Sequence, residues 1–176
     1  MENIEKQRKE GTEMKKAYIF DLDGTLVDSI PTISHFANQA LIQYGCKPVE
    51  EELYKLFLGE GSVKLVHRLL DSQGKDIEEN FEKVHTMYNK TYDEDYLYLC
   101  KPYEGITELI DELKRRKYII AVLSNKPHST TVKIIEALFG KGTFTKIYGQ
   151  REGIPLKPDA QALHSILDEL ELSKEE

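Results

Sequence analysis

The stretch AYIFDLDGTLVDS, residues 17–29, decides the fold. Its first four residues are mostly apolar, which predicts a short buried strand. The run ends at Asp21, and Asp23 and Gly24 follow at once. Residues two apart in an extended backbone point the same way, so both carboxylates can face one site. That site would lie at the carboxyl end of the strand, where α/β proteins bind their ligands.

The two carboxylates need positive charge near them, because two close anions repel each other. A divalent cation with oxygen ligands is the simplest candidate at Asp21 and Asp23. The alternative interpretation is structural, since Asp23-Gly24 is also typical of a tight turn after a strand.

Later apolar runs at 118–123 and 144–149 predict two more strands. An amphipathic helical pattern at 107–113 precedes the first of these runs, and another at 132–139 lies between the two. Strands that alternate with helices predict an α/β fold with a parallel sheet.

A helical insertion is predicted after the first strand. About a hundred residues separate Asp23 from Ser124, whereas a βαβ crossover needs only a dozen or so. Apolar residues recur at helical spacing through 33–44, 63–70 and 81–92.

The sequence therefore divides into three parts. We predict an all-helical cap at 30–100 and a core built from 14–29 and 101–176. Residues 1–13 are charged throughout, and we expect them to form a disordered extension.

Composition limits the partners. The net charge of −7 disfavours nucleic acid as a partner, and an anionic substrate would need local cations. No apolar run approaches the roughly 20 residues of a membrane span, so no membrane partner is expected. Cys46 and Cys100 lack metal-ligand or redox spacing, which predicts buried thiols in a reducing cytoplasm.

Two more short segments can carry chemistry. Ser124-Asn125 follows the second strand, where a hydroxyl and free backbone N–H groups can hold phosphate oxygens. Lys157 precedes Pro158 and is therefore held in an extended backbone that can aim its side chain. The alternatives are simple turn chemistry for the first segment and an exposed lysine before a helix for the second.

The order of these segments resembles the haloacid dehalogenase superfamily of phosphohydrolases. The likeness covers residues 15–172 and is strongest to the phosphoglycolate phosphatase group, which carries a helical cap after the first motif. The segments that carry it are FDLDGTLVDS (20–29), LGEG (58–61), PYEG (102–105), LSNKP (123–127) and LKPD (156–159). The resemblance implies a Rossmann-like α/β core with a parallel sheet and an inserted all-helical cap.

The resemblance also implies roles for four side chains. Asp21 would attack phosphorus and form an aspartyl-phosphate, and Asp23 would act as general acid and then general base. Ser124 would hold phosphoryl oxygens, and Lys157 would neutralise charge. Mg²⁺ would bridge the Asp21 carboxylate, the Asp23 main-chain carbonyl and the phosphate.

Further phosphate or substrate contacts are expected at Gly24, Thr25 and Asn125. Arg68, in the predicted cap, is a candidate partner for an anion, although a solvated helix arginine is the alternative. Tyr88, Tyr92 and Tyr96 recur every four residues, which favours packing within the cap over substrate stacking.

The sequence departs from the family pattern at its end. The family's fourth motif, an acidic pair after another strand, is absent before Glu176. We therefore expect a truncated phosphatase with weakened Mg²⁺ affinity and impaired activity. The strand that carries Asp21 would lie at an exposed sheet edge, which invites self-association.

The expected function is Mg²⁺-dependent hydrolysis of a small, phosphoglycolate-like phosphate monoester. Pyrophosphatase, nucleotidase and sugar-phosphate mutase activities stay open within the enzyme class. A non-catalytic fragment or binding protein with the same fold is the alternative outside it.

Overall fold

The computed structural model describes residues 17–175, so the predicted extension at 1–13 lies outside the described residues. The strands are β1 Ala17–Phe20, β2 Val27–Asp28, β3 Lys101–Pro102, β4 Ile119–Pro127 and β5 Lys146–Gln150. The helices are α1 Ile30–Gln43, α2 Glu51–Phe57, α3 Gly61–Asp71, α4 Ile77–Glu94, α5 Ile106–Arg115, α6 His128–Phe139 and α7 Gln161–Glu169. The predicted α/β class is confirmed.

The main sheet has the order β1-β4-β5, and both pairings are parallel. Ile120 and Val122 of β4 pack into the apolar cluster that includes residues of α5 and α6. Ala121 and Leu123 point to the other face and pack against residues of α7. Because helices cover both faces, the strand is continuously apolar.

Strand β1 lies at one edge of this sheet within the described residues. Its side chains are half-buried or exposed, in keeping with an edge position. Self-association through this edge stays a prediction.

A small antiparallel ribbon marks where the chain leaves the core and returns to it. Val27 of β2 lies opposite Pro102 of β3. The turn before β2 is tight, because the Gly24 N–H donates to the Val27 carbonyl at 3.0 Å and Gly24 has a φ of +75°. The ribbon brings both ends of the helical segment to one point beside Asp23.

Helices α1–α4 pack around an apolar cluster separate from those of the sheet. Ile33, Tyr54, Leu69 and Val84 supply one buried side chain from each of the four helices. Helix α2 is absent from the sequence prediction, because Tyr54 is its only buried residue and one position makes no period. The cap boundaries at 30–100 stay a prediction.

Strand β4 is longer than the sequence indicates. The apolar run ends at Leu123, yet the strand continues to Pro127, which pairs with Gln150 after a shift in register. Ser124, Asn125 and Lys126 therefore lie on an irregular strand end rather than in an open loop. Such irregularities re-aim side chains next to binding sites.

The cysteine prediction is confirmed in part. Cys46 and Cys100 are buried free thiols, and burial raises the pKa of Cys100 to about 11. Among residues 17–175, no helix combines the length and apolarity that crossing a membrane requires.

Gly149 of β5 lies too close to its neighbours for any side chain. A Cβ there would come within 2.5 Å of the His128 Cα and 2.7 Å of the Lys126 carbonyl oxygen. We expect Gly149→Ala to lower the free energy of unfolding by about 1–3 kcal/mol, because backbone must shift to admit the methyl group. Urea denaturation measures this, and Gln150→Ala, at the exposed neighbouring position, is the control. Equal effects for the two variants would contradict the expected clash.

Candidate active site

A cavity of about 430 Å³ lies between the carboxyl ends of β1 and β4 and the helical segment. The core side of its lining includes the two aspartates and the end of β4. The helical side is lined by residues of α1–α4 and by the loop before α3. The core-side residues are Asp21, Asp23, Gly24, Ser124, Asn125, Lys126, Pro127 and Thr130.

Asp21 is fixed through one of its two carboxylate oxygens. Its Oδ1 accepts a hydrogen bond from the Leu22 N–H at 2.7 Å and lies 2.8 Å from the Lys157 Nζ. The same Nζ donates to the Leu123 carbonyl at 2.9 Å, which directs the lysine to the end of β4. The structure thus brings together Asp21 and Lys157, although Lys157 comes from the loop before α7.

Asp23 has two partners that the sequence analysis does not anticipate. The Ser29 hydroxyl donates to its Oδ1 at 2.6 Å, and the Lys126 Nζ lies 3.1 Å from both carboxylate oxygens. Ser29 precedes α1 but makes no capping bond with its side chain. The Ser29 hydroxyl therefore orients the Asp23 carboxylate and does not cap α1.

Lys126 is the buried cation of the site. Its side chain is 7% exposed, against 22% for Asp23, and its Nζ lies 4.7 Å from the centre of the Tyr92 ring. Burial opposes the charge on Lys126, but the attraction of Asp23 outweighs burial and raises the pKa of the ammonium. Lys126 is therefore charged at neutral pH.

Ser124 and Asn125 both line the cavity with the aspartates, but the Asn125 side chain is engaged in hydrogen bonds between two loops. Ser124 is buried, lines the cavity, and accepts a bond from the Lys126 N–H at 3.2 Å. The Asn125 amide donates to the carbonyls of Gly59 at 2.7 Å and Lys157 at 3.1 Å. It also accepts from the Lys157 N–H at 2.8 Å. Asn125 thus joins the loop before α3 to the loop that carries Lys157.

Two of the remaining predicted contacts do not reach the cavity. Gly24 lines it, but Thr25 is exposed and lies outside the lining. Arg68 also lies outside the lining, because its guanidinium donates to the Phe57 carbonyl at 2.9 Å and pairs with Glu60. Arg68 therefore holds α3 to the end of α2 and to the loop between them.

Two of the three predicted tyrosines pack within the helical segment, as predicted, and also line the cavity. Tyr88 and Tyr92 are buried in the cluster of α1–α4, and both also line the cavity. Tyr96 packs between that cluster and the core.

The sequence analysis does not predict a polar cluster of Ser62, His85 and Asn89 on the helical side of the cavity. Ser62 and Asn89 line the cavity, and His85 Nε2 lies 3.0 Å from the Ser62 Oγ and 3.1 Å from the Asn89 Nδ2. Phe81 stacks on the His85 ring at 5.0 Å between centroids. Burial lowers the pKa of His85, which favours the neutral imidazole.

The oxygen atoms of the two aspartates are suitable ligands for a hard cation such as Mg²⁺. Within residues 17–175, no group of three or more His, Cys, Asp or Glu side chains could enclose a metal. Asp21 and Asp23 nevertheless supply oxygen atoms at the cavity, and Mg²⁺ is commonly bound by one or two carboxylates together with water and substrate phosphate. Asp21 and Asp23 therefore fit a Mg²⁺ ion that takes its other ligands from water and the substrate phosphate.

The fold and the site together define a class. A parallel sheet with helices on both faces carries two lysine-paired aspartates at its carboxyl edge, and a helical segment inserted after β1 covers them. The family model of the haloacid dehalogenase-like hydrolases matches residues 18–176, and the chain belongs to this family.

The relatives in this family narrow the class. The chain is 30% identical over 150 residues to the phosphoglycolate phosphatase of Haemophilus influenzae (strain 86-028NP), covering 82% of this chain and 67% of the relative. It is 30% identical over 162 residues to the phosphoglycolate phosphatase of Rhodospirillum rubrum, covering 89% of this chain and 67% of that one. The chain thus spans about two thirds of the length of these relatives.

A solved structure agrees with the relatives. The chain superposes on a predicted phosphoglycolate phosphatase of Haemophilus somnus with a TM-score of 0.81 and 26% identity, over 92% of this chain and 74% of that one. This protein is a phosphatase of the haloacid dehalogenase-like family and is similar to phosphoglycolate phosphatases.

Removing Asp23 should destabilise the protein more than removing its partner Lys126. We expect Asp23→Ala to cost about 3 kcal/mol, because it leaves the more deeply buried Lys126 unpaired. Lys126→Met should cost less, about 2 kcal/mol, since Asp23 keeps the Ser29 hydroxyl and some solvent. Urea unfolding of both variants and of the double variant measures the coupling. The reverse order of costs, or strictly additive costs, would contradict the pairing.

His85 should make the stability depend on pH. Its folded pKa is lowered, so its contribution is present above the unfolded value of about 6.5 and is lost as the pH falls below it. We expect the free energy of unfolding to decrease between pH 7 and pH 5, less steeply in His85→Gln. The pKa of His128 is also lowered, so part of the slope stays. His164→Gln, at an exposed position, is the control and should match the wild-type slope.

Proposed function

We propose that the protein is a Mg²⁺-dependent hydrolase of small organic phosphate monoesters that works through an aspartyl-phosphate. The observation that carries this proposal is the pair of lysines on the two aspartates. Lys157 lies 2.8 Å from Asp21, and Lys126 lies 3.1 Å from Asp23. The lysines offset the negative charge of the two aspartates, which would otherwise repel an anionic substrate in a protein with a net charge of −7.

Asp21 is the proposed nucleophile. Its hydrogen bonds from Leu22 and Lys157 both engage Oδ1, so we assign the attack to Oδ2. A bond forms between Oδ2 and phosphorus while the bond from phosphorus to the ester oxygen breaks. Lys157 and the Ser124 hydroxyl are proposed to stabilise the charge on the phosphoryl oxygens.

Asp23 is the proposed general acid and base. In the first step it gives its proton to the leaving alcohol oxygen. In the second step it takes a proton from water, the water oxygen attacks phosphorus, and inorganic phosphate leaves as Asp21 is restored. Ser29 and Lys126 orient the Asp23 carboxylate for both transfers.

Mg²⁺ would be held by the Asp21 carboxylate and the Asp23 main-chain carbonyl together with the substrate phosphate. When bound, it would neutralise charge on the phosphoryl group. The resemblance to phosphoglycolate phosphatases supports a small phosphorylated metabolite as the substrate, and the two buried free thiols fit a reducing compartment such as the cytoplasm.

Phosphate release from phosphoglycolate and other simple esters tests the proposal. We expect Asp21→Asn to lower kcat by about a thousandfold or more, because it removes the nucleophile. Asp168→Asn, which replaces an acidic residue of α7 outside the cavity lining, is the matched control and should keep wild-type turnover. Chelation of Mg²⁺ with EDTA should stop turnover, and added Mg²⁺ should restore it. Wild-type chain that hydrolyses no ester would favour the non-catalytic alternative.

A further inference from the structure

We infer that the alcohol portion of the substrate is uncharged and mainly apolar, with one hydrogen-bonding group, and is bulkier than glycolate. The inference rests on the proposed function and concerns the same cavity. It comes from the part of the lining that lies beyond the aspartates.

The size of the cavity leaves room that a phosphoryl group does not fill. Organic ligands occupy pockets of roughly 300–1,000 Å³, and the volume here is about 430 Å³. The two aspartates and the end of β4 line only the core side. The alcohol portion of the substrate must therefore occupy the helical side.

The helical side of the cavity is mainly apolar. Its lining includes Ile30 and Ile33 of α1, Leu58, Leu65 of α3, and the rings of Tyr88 and Tyr92. Moving a carboxylate from water to such a surface without a counter-ion is strongly unfavourable. An apolar group gains about 25 cal/mol for each Å² that it buries there.

The charges near this side disfavour a second anion. Asp93 lines the cavity, and its carboxylate accepts a hydrogen bond from Thr130 at 2.9 Å. Arg68 is paired with Glu60 outside the lining. Among the described residues on the helical side of the lining, Lys55 alone is a cation, and its half-exposed side chain already pairs with Glu52 at 2.6 Å.

One uncharged polar position also lies in this wall. Ser62 and Asn89 both line the cavity, and His85 behind them holds the two side chains within 3.1 Å of its Nε2. Ser62 and Asn89 carry no charge, so they suit a hydroxyl, carbonyl or ring nitrogen rather than a carboxylate. This position sets where the hydrogen-bonding group of the alcohol would lie.

Three esters of primary alcohols separate the possibilities: benzyl phosphate, pyridylmethyl phosphate and phosphoglycolate. Their leaving oxygens are chemically similar, so differences in kcat/KM report recognition. We expect benzyl phosphate to exceed phosphoglycolate at least tenfold, and pyridylmethyl phosphate to exceed benzyl phosphate. Equal values, or a preference for phosphoglycolate, would overturn the inference while leaving the proposed function intact.

Variants at the helical wall locate the effect. Asn89→Lys should move the preference toward phosphoglycolate at least tenfold, because it adds a cation to the wall. Asn89→Leu, of similar size but apolar, should instead remove only the advantage of pyridylmethyl over benzyl phosphate. If the wild type prefers phosphoglycolate and Lys55→Met abolishes that preference, then Lys55 binds the carboxylate and the inference is wrong.

Binding separates failure of the inference from failure of the proposed function. If no ester is hydrolysed, the proposed function fails, and isothermal titration of the same esters into Asp21→Asn tests recognition alone. Benzyl phosphate that binds at least tenfold more tightly than phosphoglycolate supports the inference. Equal or weaker binding, or no binding of any ester, overturns it.

Discussion

The ion pair between Lys126 and Asp23 is the contact on which the arrangement of the site depends. It joins the end of β4 to the turn after β1, and it does so where burial would strongly penalise an unpaired Lys126. The Tyr92 ring of α4 packs against the same ammonium. One lysine thus fixes the acid and base candidate, the central strand and the long helix of the cap against one another.

The parts of this architecture that could be predicted have a local physical cause. The apolar run before Asp21 ends abruptly, and Asp21 and Asp23 just after it both line the cavity, while Leu22 between them is buried. Helices α1, α3 and α4 of the cap appear in the sequence as repeated apolar positions because each buries one face in a shared cluster. The role expected for Lys157 came instead from the resemblance to a family. The family model confirms membership of that family, and the role of Lys157 stays a prediction.

The parts that could not be predicted depend on contacts between distant elements. Lys126 belongs to a Ser-Asn-Lys-Pro segment that is typical of a turn, and only the resumed pairing of β4 with β5 places it on a strand. Arg68 has the sequence pattern of a cap cation, but the carbonyl of Phe57 and the carboxylate of Glu60 determine its direction. His85 reaches Ser62 across two helices, and no spacing along one helix reports such a contact.

The Asn125 amide has a consequence for how the cap can move. It bonds at one time to the loop before α3 and to both main-chain groups of Lys157, so opening the cap breaks a contact of the residue that orients the lysine. We therefore expect cap opening to loosen the placement of the Lys157 ammonium at Asp21. If the cap opens during turnover, Asp21, the proposed nucleophile, would then be organised fully only while the cavity is closed over a substrate.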